Sequence, residues 1–341
     1  VDWDEIYRLA EEQSVIGVVL AGIEHTNVKL PQELLLQWIG EVQMLEQQNM
    51  SMNQFIAELV ERLRKSDIYT LLVKGQGIAQ CYKRPLWRAC GDIDLFLNSF
   101  NYEKAKKILL PKANLVETEN EYKKHVGMTI NHWVVELHGT LRCGLSSNID
   151  RSIDEIQNVV FYNGDVRLWM NGNTQVHLPG PNCDIIYVFI HLLNHFYKGG
   201  VGLRQFCDWC RLLWTYRARI DMALLERRLL KMGLVSEWKA FGAFVVNYLG
   251  MPVEAMPFYS ADVKWKKKAS RICVFILEVG DMGHNRGMGY YEKYPYLIRK
   301  VCSLGVRCID MLRHARIFPL DSLSFFPRIM LNGIRSVVKG E

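Results

Sequence analysis

Asp92-Ile93-Asp94 opens a short apolar run, Leu95-Phe96-Leu97. In a strand, alternate side chains share a face, so Asp92 and Asp94 point one way and Ile93 the other. Two neighbouring carboxylates repel each other, and a strand start keeps them where solvent or a cation offsets that repulsion. A hard divalent cation, Mg2+ or Mn2+, takes oxygen ligands of this kind. A third acid, Glu136, stands among strand formers in Trp133-Val134-Val135-Glu136-Leu137. An unpaired Glu is costly to bury, and a cation shared with Asp92 and Asp94 accounts for all three. The chemistry of such a set is phosphoryl chemistry: bound metal offsets charge on phosphoryl oxygens and lowers the pKa of an attacking hydroxyl. Asp92 and Asp94 then hold the metal, while Glu136 either ligates it or takes the proton.

These acids need a scaffold, and the stretch from Ile68 to Leu97 supplies one: strand, glycine turn, helix, loop, strand. Leu71-Leu72-Val73 is the first strand, Lys74-Gly75-Gln76-Gly77 the turn, and Ile78 to Tyr82 a short helix ended by Pro85. Backbone N–H groups of Gly75, Gln76 and Gly77 at a helix start can cradle phosphates. Lys74 or Arg88 adds positive charge there, or serves equally well as a structural ion-pair residue.

The segment resembles the nucleotidyltransferase superfamily, which uses a glycine turn, a helix and an Asp-x-Asp strand. It is most similar to a poorly characterised branch with Lys-Gly at the turn, an Arg before the acids, and Gly/Ser-Asp-Ile-Asp-Leu. Here those are Lys74-Gly75, Arg88 and Gly91-Asp92-Ile93-Asp94-Leu95. The resemblance extends through Val135-Glu136-Leu137-His138 to His191, His195, Arg204 and Asp208, most of the chain after about Ser66. It implies a nucleoside triphosphate as substrate, Mg2+ or Mn2+ as cofactor, and transfer of a nucleotidyl group to an acceptor that the sequence does not specify. It also implies substrate contact by His138, His191, His195, Arg204 and Asp208. Gln76 stands where the broader superfamily has Gly or Ser, and this departure points to the alternative of a catalytically silent nucleotide-binding or scaffold protein. A dinucleotide-binding turn is the rival fold, but its third glycine is Gln80 here, and its acid would end a strand rather than begin one.

The expected fold class is α+β, a small mixed sheet flanked by N-terminal helices and a C-terminal helical domain. The expected division is 1–66, 67–177 and 178–341. A chain of 341 residues with net charge +6 suits a polyanionic small partner and does not argue for DNA. The nine cysteines show no spacing of a disulfide framework, and no apolar run approaches a membrane span. Together these give a reduced, cytoplasmic protein as the expectation; oligomeric state is left open. Leu35, Trp38, Val42, Leu45, Met52, Ile56, Leu59 and Leu63 predict one long helix, broken in rhythm by Asn49. It is either a strut against the catalytic core or a dimer coiled coil whose register Asn49 sets, and the short repeat favours the strut.

Further strands are predicted at Leu115–Thr118, His125–Ile130 and Trp133–His138, with a hairpin turn at Asn131-His132. A second hairpin around Asn163-Gly164 would extend the same sheet. Asp184 is the expected N-cap of a helix over Ile185–Tyr197, and helices follow to the C-terminus, interrupted by the glycine-rich Gly280–Gly289. His191 and His195, like Arg204 and Asp208, are spaced i, i+4; the plain reading of the second pair is a helix salt bridge. Cys207 and Cys210 read as core residues, Lys264–Lys268 as a solvated helix face, and the apolar C-terminal stretch as packing on its own domain.

Overall fold

The computed structural model describes residues 1–280 and 295–339, with no account of side chains at 296–297, 299–301, 303–304 and 332–339. Most of the glycine-rich stretch Gly280–Gly289 lies outside the described residues. The chain divides into two compact units: residues 1–142 with 153–185, and residues 143–152 with 186–341.

The first unit opens with α1 (Trp3–Glu12), α2 (Ile16–Ile23) and the long α3 (Gln32–Arg64). Then come β1 (Leu71–Val73), α4 (Gly75–Ala79), β2 (Asp92–Phe96), α5 (Ser99–Leu109), β3 (Leu115–Val116), β4 (His125–Ile130) and β5 (Trp133–His138). They form a five-stranded sheet in the order β1-β2-β5-β4-β3. Only β2 and β5 run parallel; the other pairings are antiparallel. The fold is therefore α+β with a small mixed sheet between helices, as the periodicities indicate.

One face of the sheet is apolar. Ile93 and Leu95 of β2, Val135 and Leu137 of β5, and Val126, Met128 and Ile130 of β4 are buried with Met52, Ile56, Leu59 and Leu63 of α3 and with Tyr102, Ala105 and Leu109 of α5. Period-2 alternation then turns Asp92, Asp94, Glu136 and His138 to the opposite face. The turn between β4 and β5 is the expected one, with Asn131 at φ 58°.

Asn49 shows why α3 is a strut. It is fully buried, and its Nδ2 donates to the Leu86 carbonyl at 2.7 Å and the Arg88 carbonyl at 3.0 Å. Its Oδ1 accepts from Gln76 Nε2 at 2.6 Å. The residue that interrupts the apolar rhythm thus ties α3 to the glycine turn and to the loop before Asp92. Replacing Asn49 by Leu leaves two carbonyls and one amide without that partner, and unfolding in urea is expected to show a loss of about 3 kcal/mol. A coiled-coil role would give the opposite result, since a leucine at the seam strengthens self-association.

Sequence reading fails between 143 and 180. Of the hairpin expected over 161–169 around Asn163-Gly164, residues 161–162 end α6 (Ser147–Tyr162) and 163–165 form a connection, while 166–169 do enter a strand. The hairpin follows, as β6 (Val166–Asn171) and β7 (Thr174–Pro179), and makes a separate two-stranded sheet rather than extending the first. Ile149, Ile153, Ile156 and Val160 give α6 a buried helical stripe, a period that the β-branched residues obscure. Asp184 is not an N-cap. The helix α7 (Pro181–Lys198) begins earlier, and Asp184 lies in its first turn, buried and 2.6 Å from Arg167 Nη2.

The second unit is helical: most of α7, then α8 (Leu203–Tyr216), α9 (Met222–Met232), α10 (Val235–Tyr248), α11 (Val263–Val279), α12 (Tyr296–Ala315) and α13 (Pro319–Lys339). Its core is aromatic, with Phe189, Phe196, Phe206, Trp209, Trp238, Phe241 and Phe318 all buried. Phe318 and Phe325 place the start of the C-terminal helix in that core, as expected. Lys264, Lys266 and Lys267 are exposed, whereas Lys268 lies over the Phe318 ring at 4.4 Å. Cys207 and Cys210 are half-buried rather than core residues; desolvation pushes the Cys207 thiol up to about 12 and raises Cys210 well above its ordinary value, which does not suit a redox pair. No described helix is long and apolar enough to cross a membrane.

Candidate active site

Strand register assembles the carboxylates. In the parallel β2–β5 pair Asp94 stands opposite Glu136, and in the antiparallel β1–β2 pair it stands opposite Val73, one residue before Lys74. Oxygens of Asp92, Asp94 and Glu136 all lie within 4.8 Å of one another. Asp94 is 1% exposed; its Oδ1 meets Lys74 Nζ at 2.5 Å and His138 Nε2 at 2.7 Å. Its Oδ2 is buried and has no hydrogen-bond partner. A buried carboxylate oxygen without a partner is expensive, and this one belongs to a carboxylate clustered with two more. The all-oxygen donor set and this orphaned atom fit Mg2+ or Mn2+.

Lys74 reaches Asp94 from a strained backbone, with φ 56° and ψ −148°, a region rarely held by any residue but glycine. Gly75 follows at φ +40°; a Cβ there would stand 3.1 Å from Cys90 Sγ and 3.4 Å from the Asp92 carbonyl oxygen. Gly75, Gln76 and Gly77 form the first turn of α4, where backbone N–H groups have no intrahelical acceptor. The Gln76 side chain does not line this turn. It is buried toward α3, where it donates to Asn49. Arg88 is buried too, in the loop held by Asn49.

Two histidines flank Glu136. His138 Nε2 lies 3.3 Å and His125 Nε2 3.1 Å from Glu136 Oε2. Burial alone would raise the Glu136 pKa, but these contacts and the Lys74 charge outweigh it and hold the carboxyl far below the usual range. Burial likewise disfavours His138 as a cation, yet Asp94 and Glu136 outweigh that and raise its pKa. His125 was missed in the sequence because only strand register links it to Glu136: it pairs with His138 across β4 and β5.

The remaining expected contacts belong to the second unit. His191 and His195 sit one turn apart on α7 with Nε2 atoms 3.1 Å apart. Asp208 is buried on α8 and Arg204 half-buried one turn before it.

Residues 1–246 match the family model described as "Uncharacterised nucleotidyltransferase". The match covers well over half of the chain, and the protein belongs to that family. None of the curated proteins matches it. Among solved structures, the chain is similar to an antigenic nucleotidyltransferase-like protein from Paracoccidioides brasiliensis, at 10% identity and a TM-score of 0.37. That match covers 61% of this chain and 94% of the other.

Proposed function

We propose that the first unit transfers a nucleotidyl group from a nucleoside triphosphate to a hydroxyl-bearing acceptor, with Asp92, Asp94 and Glu136 as ligands of Mg2+ or Mn2+. The observation that carries this reading is the buried, partnerless Oδ2 of Asp94, a carboxylate clustered with those of Asp92 and Glu136. A divalent ion there would offset charge on the phosphoryl oxygens and lower the pKa of the attacking hydroxyl.

The chain's own residues divide the remaining work. The N–H groups of Gly75, Gln76 and Gly77 receive the phosphates. Lys74, fixed on Asp94 Oδ1, orients that carboxylate and leaves Oδ2 for the metal. Arg88 supplies further positive charge near the turn. Glu136 is held ionised by its histidine neighbours, which suits a ligand; so low a pKa makes a poor proton acceptor near neutral pH. His138 positions both carboxylates and is a proposed substrate contact of the first unit; His191, His195, Arg204 and Asp208 are proposed as substrate contacts carried by the second unit. Arg204→Ala is accordingly expected to weaken binding of nucleotide or acceptor about tenfold with little change in melting temperature; a large melting shift with unchanged binding restores the plain helix-pair role.

Calorimetric titration with a nonhydrolysable nucleoside triphosphate and Mg2+ tests the ligand assignment. Asp94→Asn is expected to weaken binding by about 100-fold or more. It also strips Lys74 and His138 of their charge partner, so the metal-free variant should lose on the order of 1–3 kcal/mol. Equal affinity in variant and wild type would remove Asp94 from the site. A silent nucleotide-binding protein is the second reading, favoured by the turning of Gln76 away from the glycine turn. It is distinguished by nucleotide binding without pyrophosphate release.

A further inference from the structure

The face that carries the carboxylates holds a second donor set of different chemistry. A ring nitrogen of His125, a ring nitrogen of His138 and an oxygen of Glu136 lie within 4.8 Å of one another. His125 and His138 are direct cross-strand partners, and Glu136 precedes His138 by two residues on the same strand face. Both imidazoles turn Nε2 toward Glu136 Oε2, at 3.1 and 3.3 Å. Ligands about 2.0–2.1 Å from a tetrahedral metal stand about 3.4 Å from each other, so these two separations are already those of neighbouring ligands in one coordination shell. The three side chains are 24%, 12% and 25% exposed, which gives an ion a way in from solvent.

We propose that His125, Glu136 and His138 form a binding site for a borderline transition-metal ion, with Zn2+ as the ion whose chemistry fits best. Two imidazoles and one carboxylate select Zn2+ and its neighbours over Mg2+, which keeps to oxygen ligands. The site shares only Glu136 with the all-oxygen set. A Zn2+ ion bound by the histidines takes Glu136 from the oxygen set and also takes His138 Nε2 from Asp94 Oδ1, 2.7 Å away, so the two ions compete through both side chains. Binding of Zn2+ rests on the donor set alone and not on nucleotidyl transfer.

Co2+ is the probe, because its visible absorption reports ligand type and geometry. The full chain is titrated with Co2+ in the presence of Mg2+, and bound Co2+ is then displaced with Zn2+. The expected result is one saturable Co2+ per chain, with a nitrogen–oxygen spectrum free of thiolate charge transfer, displaced by equimolar Zn2+. His125→Gln keeps the circular dichroism spectrum and weakens Co2+ binding by about 100-fold or more. Asp92→Asn, which removes a ligand of the oxygen set only, leaves the Co2+ spectrum in place even if nucleotide binding is lost. Absence of saturable Co2+ binding, a thiolate spectrum from the cysteines, or wild-type affinity in a folded His125→Gln variant would each overturn the proposal.

Discussion

Gly75→Val is expected to abolish binding of nucleoside triphosphate with Mg2+ and to cost about 2–4 kcal/mol of stability. Two causes add. At φ +40° a β-branched residue is a backbone outlier, and a left-handed conformation alone costs an ordinary residue about 1–2 kcal/mol. The new side chain also meets Cys90 Sγ, 3.1 Å from its Cβ, and the Asp92 carbonyl oxygen. Relief of either contact moves the turn or the start of β2, and with them the N–H groups and Asp92. Gly164→Val separates the two causes: Gly164 has φ +68° and nothing within 4 Å of its Cβ, so the backbone strain is present without the contact. That variant should lose part of the stability and none of the nucleotide affinity. Calorimetric titration and urea unfolding of both variants give the comparison, and a folded Gly75→Val that binds as well as wild type would remove phosphate from the turn.

Glu237→Gln is expected to stabilise the protein at pH 9 by a few kcal/mol and to change little at pH 4. Glu237 is fully buried on α10, and Tyr197 Oη donates to its Oε1 at 3.2 Å. Burial, with the nearby Asp321 carboxyl as the second cause, pushes its pKa up to about 8 from an ordinary 4.5. The sign follows from proton counting. Below pH 4.5 the group is protonated in both folded and unfolded chains and adds no pH dependence. Between about 4.5 and 8 the folded chain keeps a proton that the unfolded chain releases, so stability falls as pH rises. Above 8 the loss is complete, because a buried carboxylate has formed beside a second acid. Glutamine keeps the shape and the hydrogen bond to Tyr197 without titrating. Urea midpoints across this range decide it: a Gln variant that follows the wild-type slope would show that Glu237 titrates as an exposed acid.

Much of the site was legible because strand alternation is a strict code. Asp92, Asp94 and Glu136 needed only the period of two and one parallel pairing to share a face. What remained hidden depended on neighbours distant in sequence. His125 looked like a strand residue of no special kind, since nothing local announces that β4 pairs with β5 in the register that puts its ring on Glu136. Gln76 read as a residue of the phosphate turn, and only the buried Asn49 of α3 explains why its amide points inward. In α6 the isoleucines and valines carried strand propensity against a helical stripe, and packing decided for the helix. Asp184 offered good capping chemistry, but Arg167 claimed its carboxylate.

Transfer of label from the α-phosphorus of a nucleoside triphosphate tests the proposed function most directly. The full chain is incubated with Mg2+, a nucleotide-depleted cell extract as acceptor source, and each nucleoside triphosphate labelled at either the α- or the γ-phosphorus. The expected result is that α-label becomes covalently attached to an acceptor while γ-label leaves as pyrophosphate, and that Asp94→Asn stops both. Transfer of γ-label to the acceptor, or α-label incorporation equal in wild type and Asp94→Asn, would contradict it.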